Sequence, residues 1–255
     1  MKEFVSQVLF ADGPRLWSLG QAGYLLKSRG GELLGVDLYL SDCVEADEPD
    51  HLGHHRLQAH LLRPAELTLD TLVATHAHYD HFDPDSVPGL LSAGKTLLVA
   101  SERCREEVEK CGASAERVRF AAPGDCIGSG DFLLECLPCD HGEAAPDAFG
   151  LRITVNGKTV VMAGDTCLHP EYAPLYCEKG AIDLFIAPIN GTNGNLSETD
   201  CAVLTALVHP RQVLPSHFGM FAAQRGDPGL FLEQMRLRAP EIPVLLLAMG
   251  ESAAL

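Results

Sequence analysis

Basic residues are scarce in this chain. Its 19 lysines and arginines stand against 35 aspartates and glutamates, giving a formal net charge of −16 and a pI of about 5.0. An acidic surface repels phosphate backbones, and the few cations form no stripe, so nucleic acid is excluded as a main partner. A local pocket for one small anion stays compatible with this balance, because net charge says little about a single site. Long apolar runs are also missing: residues 244–249 are among the longest and fall far short of a bilayer span. The first ten residues carry Lys2 and Glu3 but no apolar core run, which excludes a signal peptide there. The chain is therefore expected to be soluble and cytoplasmic, with no membrane partner. No Gly-x-Ser-x-Gly setting offers a serine nucleophile, and neither a phosphate-binding loop nor a dinucleotide fingerprint is present. Internal repeats and low-complexity tracts are absent, and so is any long run of one charge, which argues against extended disorder.

Cysteine is not scarce. Nine are present, at positions 43, 104, 111, 126, 136, 139, 167, 177 and 201. An odd number cannot pair completely, and a chain of this size needs no staples, so reduced thiols are expected. The Cys136-Leu137-Pro138-Cys139 pair is read as strand-end packing, since no thioredoxin-like context surrounds it.

Apolar residues make up 46% of the 255, enough for a substantial core in one domain spanning residues 1–255. Short strands are predicted at residues 9–11, 15–18, 22–27 and 33–36, punctuated by Asp12-Gly13-Pro14, Gly20 and Gly30-Gly31. Residues 42–63 are acidic and then His-rich, with no period, and read as a long loop or lid beside a site. Strands follow at 71–74, 96–100, 117–120 and 131–137. The next two, 149–155 and 159–163, are joined by the hairpin signal Asn156-Gly157. Helices are predicted from the Asp83-Pro84-Asp85 start, over 102–110, over 197–208 with Ser197 as cap, and over 228–237. Further strands fall at 183–187, 212–214 and 244–247. Strand and helix alternate over most of the chain, so the class is α/β.

The densest chemistry lies in Thr75-His76-Ala77-His78-Tyr79-Asp80-His81. Three imidazoles and a carboxylate within six positions, at the end of a predicted strand, are the donors that zinc and similar cations take. Side chains two apart on a strand point the same way, so His76 and His78 share a side. The following turn can swing Asp80 and His81 toward a neighbouring point, as a two-metal hydrolase requires. Three later strand ends add Asp140-His141-Gly142, Gly164-Asp165-Thr166 and Ser216-His217-Phe218.

The H-x-H-x-D-H run with these three later residues resembles the signature of the metallo-β-lactamase superfamily. That resemblance implies a four-layer αββα sandwich. It implies His76, His78 and His141 around one metal, Asp80, His81 and His217 around a second, and Asp165 bridging both. Asp37 stands where the superfamily has a carboxylate supporting the His turn; a plain strand cap is the alternative reading. By the same resemblance, Asp80 could also accept a proton from the attacking water, while Asp165 stays ionised as a bridge.

A closer likeness, to the L-ascorbate-6-phosphate lactonase branch, rests on Leu19-Gly20-Gln21-Ala22-Gly23-Tyr24, Asp37-Leu38-Tyr39-Leu40-Ser41-Asp42, Ala187-Pro188-Ile189-Asn190-Gly191 and Pro215-Ser216-His217-Phe218-Gly219-Met220-Phe221. It departs at Leu38, where that branch more often has proline, and at Phe218, where it often has tyrosine. The likeness implies a lactonase acting on a small anionic substrate, with Asn190 and Gly191 at the pocket wall and Arg56 as the anion contact. It suggests manganese; the wider superfamily suggests zinc, and the donor set also suits iron. A small-molecule phosphodiesterase, an iron-binding redox protein and a non-catalytic ligand-binding module are the rival readings. A homo-oligomer is expected on the general frequency of closed symmetric assemblies.

Overall fold

Alternation along short apolar strands sets the layers, because successive strand residues face opposite sides of a sheet. The computed structural model describes residues 2–255. Seven strands form one sheet: β1 (Arg15–Ser18), β2 (Tyr24–Lys27), β3 (Leu33–Val36), β4 (Thr71–Ala74), β5 (Leu97–Ala100), β6 (Val118–Phe120) and the last strand of the chain, β13 (Ser252–Ala254), in the order β13-β1-β2-β3-β4-β5-β6. Six form the other: β7 (Cys126–Ser129), β8 (Phe132–Leu137), β9 (Gly150–Val155), β10 (Lys158–Met162), β11 (Leu184–Pro188) and β12 (Val213–Ser216), in the order β12-β11-β10-β9-β8-β7.

One set of side chains meets between the sheets: Leu26, Val36 and Val73 from the first against Ile153, Val160 and Ile186 from the second. The alternate set faces outward under helices. Leu25, Leu72 and Leu98 lie beneath α1 (Lys2–Phe10), α3 (Val87–Leu91) and α4 (Arg105–Lys110), while the short α2 (Cys43–Asp47) lies in the segment after β3. Val161, Phe185 and Val213 lie beneath α5 (Tyr172–Cys177), α6 (Glu198–Val208) and α7 (Pro228–Arg238). Helix, sheet, sheet and helix thus make the four-layer αββα sandwich. Each fully buried aliphatic or aromatic side chain stabilises it by about 1.5–3 kcal/mol.

Local signals hold where the backbone alone decides. Asn156 and Gly157 both take positive φ, 48° and 81°, as the expected tight hairpin turn between β9 and β10 requires. Ser197 caps α6 through its hydroxyl, which accepts from Asp200 N at 3.2 Å, while the Asp200 carboxylate accepts from Ser197 N. Asp227 caps α7 through its carboxylate, which accepts from Gly229 N and Leu230 N.

Three expectations change. Residues 9–11 are not a strand: Lys2–Phe10 is helical, because Phe4 and Val8, four apart, bury one face. Lys27 Nζ donates to the Val8 and Leu9 carbonyls at 3.0 and 2.7 Å, supplying the positive charge that the last turn of α1 lacks. Residues 244–247 are not a closing strand. They touch β12 through one bridge, Val213 to Val244, and Leu245 and Leu247 then pack into the inter-sheet core. Closure falls to β13, which crosses to the first sheet and pairs with β1. The helix expected from Asp83 begins only at Val87. The fully buried Asp83 carboxylate instead gathers the backbone N–H groups of Leu40, Ser41 and Ser86, tying the loop after β3 to the start of α3.

β3 and β4 run parallel in the first sheet. In the second, β8 and β10 each pair antiparallel with β9, and β10, β11 and β12 run parallel, so β8, β10 and β12 share a direction. All five strands release their C-terminal ends at one rim of the sandwich, where a site can be assembled from both sheets.

Candidate metal centre

Each expected ligand follows one of those strand ends. His76, His78, Asp80 and His81 come from the turn after β4, His141 from the segment after β8, Asp165 from the turn after β10 and His217 from the residue after β12. Gly164, at φ 73°, lets the chain turn so that Asp165 points inward. Backbone strain collects here: Gln21, Asp37 and His217 are non-glycine residues at φ 52°, 48° and 62°. Such positions cost about 1–3 kcal/mol each and persist where the surroundings over-determine them.

The donors fall into two adjoining groups. His76 Nε2 and His78 Nδ1 are 2.9 Å apart, and His141 Nε2 is 3.2 Å from the same His78 nitrogen. Across the bowl, His81 Nε2 and His217 Nε2 face each other at 3.4 Å, with Asp80 Oδ2 3.8 Å from the first and 3.3 Å from the second. Asp165 Oδ2 stands between the groups, 3.8 Å from His141 Nε2, 3.4 Å from His81 Nε2 and 3.0 Å from His217 Nε2.

Protonation distinguishes the two groups. Burial pushes His76 well below the ordinary imidazole value, and it lowers His78 and His141 too, so the first group offers neutral nitrogens. Burial also works to lower His81 and His217, but Asp165 and the other carboxylates beside them outweigh it. His81 is held well above its usual value and His217 is pushed up to about 9. Burial acts to raise Asp80 and Asp165, yet the facing imidazoles hold both below the usual carboxylate range. Protons on His81 and His217 therefore offset the two carboxylates. Converging imidazole nitrogens with carboxylates in their midst suit divalent cations.

The supporting residues fix these donors. Asp37 Oδ1 accepts from Thr75 N at 2.8 Å; its Oδ2 accepts from Thr75 Oγ1 at 2.7 Å and meets His81 Nδ1 at 2.8 Å. Asp37 is thus the orienting carboxylate rather than a plain strand cap, and it turns His81 Nε2 into the bowl. Three supporting residues escape sequence reasoning. Gln21 Nε2 donates to Asp80 Oδ2 at 2.8 Å and to Gln224 Oε1, and Asn195 Nδ2 donates to Asp165 Oδ2 at 2.8 Å. Gln21 lies in the Leu19-Gly20-Gln21-Ala22-Gly23-Tyr24 run, but nothing in the spacing assigns it a task; Asn195 and Gln224 read as ordinary loop polarity.

A cavity of about 430 Å³ opens over the bowl. Its wall takes Val44, Asp47, Glu48 and His54 from the acidic, His-rich segment, so part of residues 42–63 does border the site. Arg56 does not. It is buried, donates through Nε to Gln58 O at 2.9 Å and through Nη1 to Tyr39 O and Ser41 O at 3.1 and 3.3 Å, and lies over the Tyr39 ring. Its charge serves the loop after β3, not an anion in the cavity. Nor do Asn190 and Gly191 line the wall: Asn190 donates to Thr192 Oγ1 at 3.1 Å, and their loop reaches the cavity through Asn193 and Asn195 instead. All nine cysteines are free thiols. No helix among the described residues is long and apolar enough to cross a membrane.

A sequence model of the β-lactamase superfamily domain matches residues 38–218. A metal-dependent hydrolase of Carboxydothermus hydrogenoformans is 26% identical over 237 residues, covering 89% of this chain and 94% of that protein. Among solved structures, the metallo hydrolase Igni18 of Ignicoccus hospitalis superposes with a TM-score of 0.70 at 21% identity, covering 94% of this chain and 97% of that one. Isothiocyanate hydrolase from Delia radicum gut bacteria superposes with a TM-score of 0.71 at 20% identity, covering 94% and 98%. At such identities the solved structures speak for the fold alone, whereas the superfamily match spans the strand ends from Asp37 to His217 less one residue. The chain belongs to the β-lactamase superfamily.

Proposed function

We propose that the protein is a metal-dependent hydrolase that uses two divalent cations, manganese or zinc with iron as a further choice, to open a lactone of a sugar acid. The observation that carries the two-metal reading is Asp165 Oδ2 standing within 3.8 Å of His141 on one side and 3.0 Å of His217 on the other. The names of the curated relatives support the hydrolase part of it. His76, His78 and His141 would hold one cation, Asp80, His81 and His217 the other, and Asp165 would bridge them. When bound, such cations acidify water to near neutral pH and polarise the group under attack.

The chain's own residues supply the rest. Asp165 stays ionised, because buried imidazoles surround it and Asn195 donates to it. Asp80 borders the cavity, which supports it as the carboxylate that takes a proton from the attacking water. Hydrolysis of a lactone then needs no covalent intermediate on the protein: water adds at the carbonyl, the ring C–O bond breaks, and the proton passes to the leaving alkoxide. Asn193, Asn195 and Gln224 line the wall and can hydrogen-bond the hydroxyls of such a ring.

No lysine or arginine lines the cavity among the described residues, whereas Asp47 and Glu48 do. A phosphate at the far end of the substrate would meet carboxylates, so the unphosphorylated lactone is the favoured form of this substrate class. The test compares sugar-acid lactones, L-ascorbate 6-phosphate and an aryl phosphodiester on protein loaded separately with manganese and with zinc. Proton release on ring opening, with kcat/KM above roughly 10⁴ M⁻¹s⁻¹ for a neutral lactone, is expected. Turnover of the phosphodiester alone would replace the lactonase reading, and no turnover by fully loaded protein would remove it.

A further inference from the structure

We propose that Asp140, Cys167 and His169 form a separate surface site for a borderline-soft divalent cation such as zinc. Each contributes one ligand atom, and the three atoms lie within 4.8 Å of one another. Carboxylate, thiolate and imidazole together are a zinc-type donor set, and only this group among the described residues places a cysteine with them. None of the three lines the cavity over the bowl. All are half-buried, so a cation can reach them and keep a water as its fourth ligand.

The surroundings are those of a prepared site. His169 Nδ1 lies 2.8 Å from Glu171 Oε1, and its Nε2 lies 2.8 Å from Asp140 Oδ2. A carboxylate behind one ring nitrogen fixes the tautomer and aims the other nitrogen at a metal. The Asp37–His81 pair is built the same way inside the bowl. The Tyr172 ring stacks on His169 at 4.7 Å and holds its plane. The two chain segments are already pinned together, by Cys167 N donating to Asp140 O at 2.9 Å and Asp140 N to Thr166 Oγ1 at 3.0 Å. The Cys167 thiol and the His169 ring lie against the same Asp140 carboxylate. A divalent cation bound there would displace the thiol proton and the proton His169 shares with Asp140, releasing both to solvent.

Such a cation would clamp two segments that each carry a donor of the bowl. Asp140 adjoins His141, and Cys167 lies two residues beyond Asp165. The site stands independently of the hydrolase reading, because its ligands are distinct and its signature is sulfur.

Cobalt is the probe, because thiolate coordination gives a near-ultraviolet charge-transfer band that imidazole and carboxylate ligands do not. Full-length protein stripped of metal and titrated with cobalt should develop this band. Cys167→Ser should lose the band and bind one equivalent less, and His169→Ala should also bind one equivalent less, while the remaining equivalents bind as before. Absence of the band at saturating cobalt would overturn the site, and so would a band that Cys167→Ser retains or an unchanged stoichiometry in both variants. Loss of every equivalent in the milder Cys167→Ser variant would also overturn it, since the two sites would not be separate.

Discussion

The Asp37 carboxylate lies 2.8 Å from His81 Nδ1, and both side chains are all but inaccessible to solvent. Asp37 comes from the end of β3 and His81 from the turn after β4, so a contact between neighbouring parallel strands fixes the direction of a candidate metal donor. Asp37→Asn keeps the shape and removes the charge. It should weaken cation binding by about 10–100-fold. The loss should fall on the group containing His81, leaving His76, His78 and His141 at near-normal affinity. Chelator competition that resolved two binding steps would check this; equal weakening of both would refute it.

Protonation makes the two donor groups respond differently to pH. His76, His78 and His141 have lowered pKa values, so they carry no protons to displace near neutrality, and cation binding there should be flat with pH until well into acid. His81 and His217 have raised values, about 9 for His217, so they hold protons at pH 7 that a cation must expel. Affinity at that group should rise as pH increases toward about 9 and fall below it. Titration calorimetry in buffers of different ionisation enthalpy measures the protons released. Of the two equivalents that bind in the bowl, the one at His76, His78 and His141 should release almost none, and the one at His81 and His217 should release protons. Identical release at both steps would contradict the assignment.

What the sequence made legible, it made legible through local chemistry. Asn156-Gly157 specified its turn because both residues accept positive φ, and Ser197 specified its helix start through a side chain three residues from its partner. The convergence of the seven candidate donors was legible because residues such as His76 and Asp165 stand at strand ends in a recognisable order. Loss of legibility came with distance. Val244 to Leu247 is as apolar as a strand, but it pairs at one bridge only, packs Leu245 and Leu247 against the inter-sheet core, and leaves closure to β13 on the other sheet. Arg56 looks like an anion contact in a segment without periodicity; only the fold shows that Tyr39 and Ser41 offer it carbonyls. Asn195 and Gln21 are 30 and 59 residues from the carboxylates they hold, and no local pattern encodes such a contact.

Asn195 gives a prediction about the bridge. Its amide donates to Asp165 Oδ2 at 2.8 Å inside the protein. A hydrogen bond to a buried charged group is worth about 1.5–3 kcal/mol. Asn195→Ala should therefore lower kcat by about 10- to 100-fold if Asp165 must be held in position for turnover, with metal content retained. Asn195→Asp should do worse, since it sets a second carboxylate against Asp165. Metal analysis beside steady-state kinetics separates the two effects. An alanine variant with unchanged kcat would remove Asn195 from the supporting structure.

Arg56 separates a structural charge from a substrate contact. Its guanidinium is 7% exposed as a residue and bonds to three backbone carbonyls, those of Tyr39, Ser41 and Gln58. Arg56→Ala leaves buried acceptors without donors and removes the cation from the Tyr39 ring, so it should cost about 2–4 kcal/mol of stability. Arg56→Lys should recover only part of that, because an ammonium cannot reproduce the planar fork that reaches carbonyls on both sides of the loop. Urea unfolding at neutral pH measures the loss directly. Were Arg56 an anion contact instead, stability would hardly change and KM would rise for phosphorylated substrates while staying constant for neutral ones. The carbonyls of Tyr39 and Ser41 belong to the segment that leads into Cys43–Asp47, and Asp47 is part of the cavity wall. Loss of Arg56 should therefore disturb neutral and anionic substrates alike, in proportion to how far that wall loosens.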